Sequence, residues 1–217
     1  QREYRVHPEN IFVNPFPAEN IASERINQTL THNDIPVIFY PANFWPHKNH
    51  ILLIDALAIL KCKGISYQLI FTGSDKGNLS YIKEYARSLG VLNQIKFLGF
   101  VQRGKLMEIY KKCDLFVFPS LLGPDNLPPL EALTFNCKVA VANIYGAKEI
   151  YRDNAYYFDP YDSIALSEKI PEWLCANRVE NFSSEFGRDK YIETFQQICN
   201  RMLHLSKLSS PFYKEIG

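Results

Sequence analysis

The sequence lacks charge of either sign in excess. Its 24 lysines and arginines face 23 aspartates and glutamates, a formal net charge of +1. That argues against broad electrostatic attraction to nucleic acid, which needs a basic face, and no nucleic-acid partner is expected. No apolar run approaches the roughly 20 residues a membrane-spanning helix needs. The opening Gln1-Arg2-Glu3-Tyr4-Arg5 is polar, so no secretory leader is expected there. The five cysteines (62, 113, 137, 175 and 199) form no CxxC pair and no metal-type spacing; they read as buried thiols of a reducing compartment. The G-x-G-x-x-G fingerprint is missing after the first strand-like run, which counts against an NAD enzyme. There is no G-x-S-x-G elbow, and the only histidine after Asp125 is His204, so a hydrolase triad finds no support. Asn27, Asn78 and Asn181 begin Asn-x-Ser/Thr sequons, a pattern short enough to arise by chance.

What is present is an ordinary globular composition. The 217 residues are 47% hydrophobic and 22% charged, enough for one substantial domain with its own core. Short apolar runs alternate with amphipathic segments. Strands are expected at 37–40, where Pro41 stops the run, and at 67–71, 95–98, 115–118, 138–142 and 156–158. Helices are expected at 49–62, 78–89, 105–112, 128–135, 163–175 and 185–203. This alternation implies crossover units, and nearly all-apolar strands imply a sheet covered on both faces. The fold class is therefore α/β, a Rossmann-like parallel sheet with helices on both faces. Ligands of such sheets bind beyond the carboxyl ends of the strands, which selects the loops 41–49, 72–77, 99–104, 119–128 and 143–148.

The most telling stretch is 120–133, Ser-Leu-Leu-Gly-Pro-Asp-Asn-Leu-Pro-Pro-Leu-Glu-Ala-Leu. It leads from a strand into a helix start, where unpaired N–H groups favour an anionic ligand. Glu131 is expected in the first turn of that helix. It reads either as a capping carboxylate or as an acceptor for a sugar hydroxyl. In loop 41–49, Lys48 precedes a helix N-terminus, an unfavourable place for a cation unless an anion joins it. A phosphate partner and a solvated surface lysine are both open readings. Asn43 and His47 are potential donors in the same loop, whereas Phe44 and Trp45 read as packing. His47 and His50 are spaced i, i+3 but lack a third ligand, so no metal is expected. Thr72-Gly73-Ser74-Asp75 is a weak phosphate-loop look-alike, and Gly99 ends a strand where backbone could approach a flat ligand.

Several pieces follow one another in a familiar order: 37–48, 70–75, 95–101, 106–120, 127–132, 139–146 and Phe158-Asp159-Pro160. LxxxYxxCDLFVFPS, then NLPPLEA, then YFDP, resembles the C-terminal domain of GT-B-fold glycosyltransferases of the family 4 type, over about residues 36 to 175. The resemblance implies one half of a GT-B fold that binds a nucleotide-sugar donor such as a UDP- or GDP-sugar, with no metal or other cofactor. It implies that Lys48 contacts the donor diphosphate and that Glu131, the second Glu of an E-x7-E motif, accepts hydrogen bonds from the ribose; these two carry the catalytic role. Phe100 and Val101 match the loop whose backbone reads the base. Asn126 and Leu127 match the segment whose N–H groups face the sugar and phosphate. Two positions depart from the pattern. Gly123 stands where the first Glu would be, and Asn43 where a phosphate-binding Arg would be, so Asp125 or Asn126 is a candidate for the sugar contact.

The resemblance also implies a second Rossmann-like domain carrying the acceptor. On this reading 1–34 is a linker or remnant from it, 35–180 the nucleotide-sugar-binding domain, 181–205 a helix that crosses back, and 206–217 a polar tail. The implied function is transfer of a sugar, with retention, to a hydroxyl acceptor in bacterial polysaccharide or glycolipid assembly. The implied location is the cytoplasm, at the inner face of the membrane if the missing domain makes a peripheral contact. Two alternatives stay open: a GT-B-type nucleotide-sugar epimerase, and a non-catalytic binding or scaffold module.

Overall fold

The computed structural model describes residues 35–123, 126–176 and 192–201. The chain divides into two compact units, Ile21–Phe182 and the pair Gln1–Asn20 with Ser183–Gly217. In the second unit, residues 192–201 are helical. The expected connector at 1–34, Asp125, the rest of the expected crossing helix and the tail lie outside the described residues.

The larger unit holds six strands: β1 (Val37–Pro41), β2 (Gln68–Thr72), β3 (Ile95–Phe97), β4 (Leu115–Phe118), β5 (Val139–Ala142) and β6 (Tyr156–Phe158). They form one sheet in the order β3-β2-β1-β4-β5-β6, with every pairing parallel. The helices are α1 (His50–Cys62), α2 (Leu79–Ser88), α3 (Arg103–Lys112), α4 (Leu127–Thr134), α5 (Ala147–Tyr151) and α6 (Ser163–Cys175). This is the Rossmann-like α/β fold that the alternating pattern implied.

The strand order fixes where the helices go. From β1 to β3 the chain steps one way across the sheet, and from β3 to β6 it steps the other way. Right-handed crossovers therefore put α1 and α2 on one face and α3, α4 and α5 on the other. Helix α1 packs against both α2 and α6, which completes the first layer. β1 and β4 are fully buried along their length. Successive residues of β1 serve opposite layers: Phe39 meets Tyr110 of α3 edge-on, whereas Tyr40 meets His50 of α1.

Several boundaries differ from the sequence expectation. Pro41 ends β1 from inside rather than stopping it, aligned with Thr72 of β2. At the last residue of a strand a missing N–H costs little. Helix α4 starts at Leu127, one residue early, so Glu131 is its fifth residue and lies outside the first turn. α5 was not expected: it has five residues, too few to show a helical period, and begins after Gly146 at φ 84°. The cysteines are also less uniform than expected. Only Cys113 and Cys137 are buried; Cys62 and Cys175 are exposed, each the last residue of its helix.

Candidate functional site

Adjacent β1 and β4 send their following helices, α1 and α4, to opposite faces. A crevice must open between the two loops that leave them, and this is where ligands of such sheets bind. The first loop is Ala42 to Asn49. It contains a single 3-10 turn, Pro46–Lys48, and ends on Asn49 in the left-handed conformation at φ 54°. The Tyr40 hydroxyl donates to the Lys48 carbonyl at 2.7 Å, and the Asn49 side-chain amide donates to the Pro160 carbonyl at 2.9 Å. Both bonds hold the loop against the top of the sheet. The second loop leaves β4 through Pro119 and Ser120. Its Leu121 N–H donates to the His47 carbonyl at 2.9 Å, which joins the two sides of the crevice.

Lys48 is the centre of this arrangement. Its Nζ donates to Asn126 Oδ1 at 2.9 Å and lies 3.3 Å from Ser120 Oγ. It also stands 5.3 Å above the Phe118 ring. Every one of these partners is neutral. Among the described residues no carboxylate is within ion-pair distance of the ammonium. Burial, the cause of its depressed pKa, disfavours the charged form, so a positive group here is underneutralised. An anion arriving in the crevice would relieve that.

Asn126 is the N-cap of α4, yet its side chain makes no cap. Its Oδ1 accepts from Lys48, and its Nδ2 donates to the Leu122 and Gly123 carbonyls. The helix end is therefore left without a side-chain cap. It is also poor in donors. Of the four positions whose N–H has no intrahelical acceptor, Asn126 to Pro129, the two prolines have no N–H, so only Asn126 and Leu127 carry one. The generous N–H cluster implied by a strand, loop and helix start is reduced to two groups, and Lys48 must supply most of the positive charge.

Gly123 adopts φ +76°, and a Cβ there would come within 3.1 Å of Asn126 Nδ2. A glutamate at this position would meet both an unfavourable backbone and the side chain that holds Lys48. Asn43 is exposed, and its Oδ1 accepts from the Ser74 N–H at 2.8 Å, tying the β1 loop to the β2 loop. The His47 ring stacks on Trp45 with centroids 6.4 Å apart, so this residue contributes its main chain to the crevice. His50, by contrast, is buried between Phe44 and Tyr40. The i, i+3 histidine pair thus splits between surface and core.

The apparent phosphate loop at Gly73 has a different cause. Its φ is +142°, and a Cβ there would stand 2.2 Å from the Ala42 carbonyl oxygen. Glycine permits the two loops to touch. Gly73 N–H then donates to the Gly99 carbonyl at 2.8 Å, which brings the β3 loop into the same rim. Phe100, the next residue, is 79% exposed, and Val101 is half-buried behind it.

Glu131 lies one turn below Leu127 on α4 and is half-buried. It caps nothing. Tyr110 Oη donates to its Oε2 at 3.0 Å, and its second oxygen accepts no hydrogen bond among the described residues. Ser120 and Tyr110 are the participants that residue patterns did not single out as site residues. Both stand in the stretch Leu106 to Ser120, but nothing in its spacing reveals which loop or helix they face.

Residues 22–192 match the model of the family described as glycosyl transferases group 1, and the chain belongs to that family. It is 30% identical over 152 residues to the serotype-specific mannosyltransferase WbdA of Escherichia coli, covering 68% of this chain and 19% of WbdA. Among solved structures, HepE of Anabaena in complex with UDP-glucose aligns at a TM-score of 0.63 and 25% identity, over 79% of this chain and 49% of that one. The apo lipopolysaccharide outer core galactosyltransferase WaaB aligns at 0.68 over 93% of this chain and 58% of its own; at 15% identity it speaks for the fold. The chain spans less than half the length of the curated relatives it matches.

Proposed function

We propose that this chain is the donor-binding, C-terminal half of a retaining GT-B glycosyltransferase of the family 4 type. It takes a nucleotide-sugar, and the whole enzyme transfers the sugar to a hydroxyl acceptor seated in the other half. The observation that carries this reading is the Lys48 ammonium, partly buried in the β1–β4 crevice and held, among the described residues, by the neutral Asn126 and Ser120. As the bond from the anomeric carbon to the diphosphate breaks, negative charge grows on the leaving phosphate. A preoriented cation without a competing carboxylate stabilises that charge most where it develops. Glu131, with one oxygen uncommitted, is positioned to accept from ribose hydroxyls, and the Phe100–Val101 segment to face the base. Asp125 or Asn126 takes the sugar contact that Gly123 does not make. No metal is needed in this scheme.

The names of relatives support a role in surface-polysaccharide assembly, since WbdA is a serotype-specific mannosyltransferase and another relative an O-antigen chain mannosyltransferase. On that reading the enzyme works in the cytoplasm, at the inner face of the membrane. Among the described residues no helix is long and apolar enough to cross a membrane.

Calorimetric titration of the chain with UDP-, GDP- and ADP-sugars tests the proposal. One of them should bind, and Lys48→Ala should weaken it. The commitment of Asn43 to Ser74 and the glycine at 123 favour a second reading, a non-catalytic scaffold. Failure of every nucleotide to bind would select it. The chain alone should transfer little sugar; efficient turnover without a second domain would overturn the half-enzyme assignment.

A further inference from the structure

Tyr110 holds a position that neither the fold nor the proposed chemistry requires of a tyrosine. It is 2% exposed, in the last turn of α3, and its ring lies parallel to Phe135 with centroids 5.3 Å apart. Phe116 stacks on it at 5.8 Å, and Phe39 meets it edge-on at 5.3 Å. Its main-chain carbonyl accepts from two thiols, Cys113 at 3.4 Å and Cys137 at 3.0 Å. Ring and backbone are therefore both fixed. A phenylalanine would fill the same aromatic stack, so packing does not account for the hydroxyl. That hydroxyl points at α4, 3.0 Å from Glu131 Oε2 and 3.4 Å from the Pro128 carbonyl.

We propose that Tyr110 is a positioning residue for Glu131: it holds the carboxylate so that the second oxygen faces the ribose. A glutamate has three rotatable bonds, and a half-buried one with no partner would sample several rotamers. One hydrogen bond from an immobile donor selects among them. Burial and the adjacent carboxylate push the Tyr110 hydroxyl well above its ordinary pKa, so it keeps its proton and donates throughout the physiological range. The inference rests on Glu131 contacting ribose, and its test separates the two ideas.

Tyr110→Phe, Glu131→Ala and the double variant are titrated with UDP and GDP and with their 2′,3′-dideoxy counterparts. Thermal melting of Tyr110→Phe confirms that the aromatic stack survives. The expected result is a roughly tenfold loss of ribonucleotide affinity in Tyr110→Phe, the scale of one hydrogen bond to a charged group. The dideoxynucleotide should bind wild type and Tyr110→Phe alike, and Tyr110→Phe should add nothing to Glu131→Ala. Equal weakening of ribo- and dideoxynucleotides would make Tyr110 merely structural and overturn the inference. So would an unaffected Tyr110→Phe beside a weakened Glu131→Ala, with the ribose role of Glu131 intact. If Glu131→Ala itself left ribonucleotide affinity unchanged, the ribose assignment would fail and this inference with it.

Discussion

Lys48 Nζ stands 2.9 Å from Asn126 Oδ1, a bond between residues 78 apart in the chain that joins the two walls of the β1–β4 crevice. The acceptor is an amide. A carboxylate there would neutralise the lysine; an amide orients it and leaves its charge for a ligand. Lys48→Met keeps the length of the side chain and removes the charge. It should cost nucleoside diphosphates about 1.5–3 kcal/mol of binding, the range for hydrogen bonds to charged groups. Uridine, which has no phosphate, should bind Lys48→Met and wild type equally. Calorimetry with UDP and uridine reads both.

Asn126→Asp changes the electrostatics with almost no change of shape. The new carboxylate would face Lys48 and stand at the N-terminus of α4, where negative charge is favoured. Its second oxygen, however, would meet the Leu122 and Gly123 carbonyls that the amide nitrogen now serves, so the fold should gain no stability. UDP should bind about tenfold more weakly because the anion must now compete with an internal one. Denaturant midpoints and calorimetric affinities read the two effects separately. Tighter UDP binding in the variant would contradict the arrangement.

His50 makes stability depend on pH. Its ring is 1% exposed, and neither nitrogen has a hydrogen-bond partner of full geometry. Burial pushes its pKa from 6.5 down to about 3; the Ala42 carbonyl partly opposes the shift and Lys48 adds to it. The unfolded chain takes up this proton near pH 6.5 and the folded one does not. Stability from this site is therefore complete above about pH 6.5. It falls as pH drops from there toward 3, by ~1.4 kcal/mol per unit. His50→Phe should flatten that slope between pH 6.5 and 4.5, measured by urea melts.

Gly73→Ala drives a methyl group into the Ala42 carbonyl, a contact of 2.2 Å with backbone that cannot turn aside. The loops after β1 and β2 must separate. A loss of about 1–3 kcal/mol in stability is expected, the usual scale of overpacking. Nucleotide affinity should fall as well, since loop 42–49 carries Lys48. Gly64→Ala has open space around the added methyl group and serves as the comparison for positive φ without a clash.

How much of this was legible in the sequence follows from the range of each interaction. The strands and their order of appearance came from local apolar runs, and parallel topology followed because helices alternate with them. Leu115–Phe118 and Ser163–Cys175 match their expected bounds because turn residues flank both. α5 escaped because five residues carry no period. Glu131 sits one position deeper in its helix than expected because the proline pair reads as the helix start, whereas Leu127 precedes it as the first helical residue. Lys48 was identifiable from its place before α1. Its partners were not: Ser120 and Asn126 lie 72 and 78 residues away, and only the closed sheet brings them near. Likewise nothing local distinguishes an Asn43 that binds ligand from one that ties down Ser74.

The adjacent prolines at the start of α4 have one more effect. Each holds its own φ near the helical value, so the first turn has little freedom to fray and little to lose when a partner arrives. That wall of the crevice is finished before any ligand meets it. The opposite wall, the run from Ala42 to Asn49, is held as well, by the Tyr40–Lys48, Asn49–Pro160 and Leu121–His47 hydrogen bonds. The described walls of the crevice therefore act as an anvil on both sides, a surface that a ligand must fit rather than reshape.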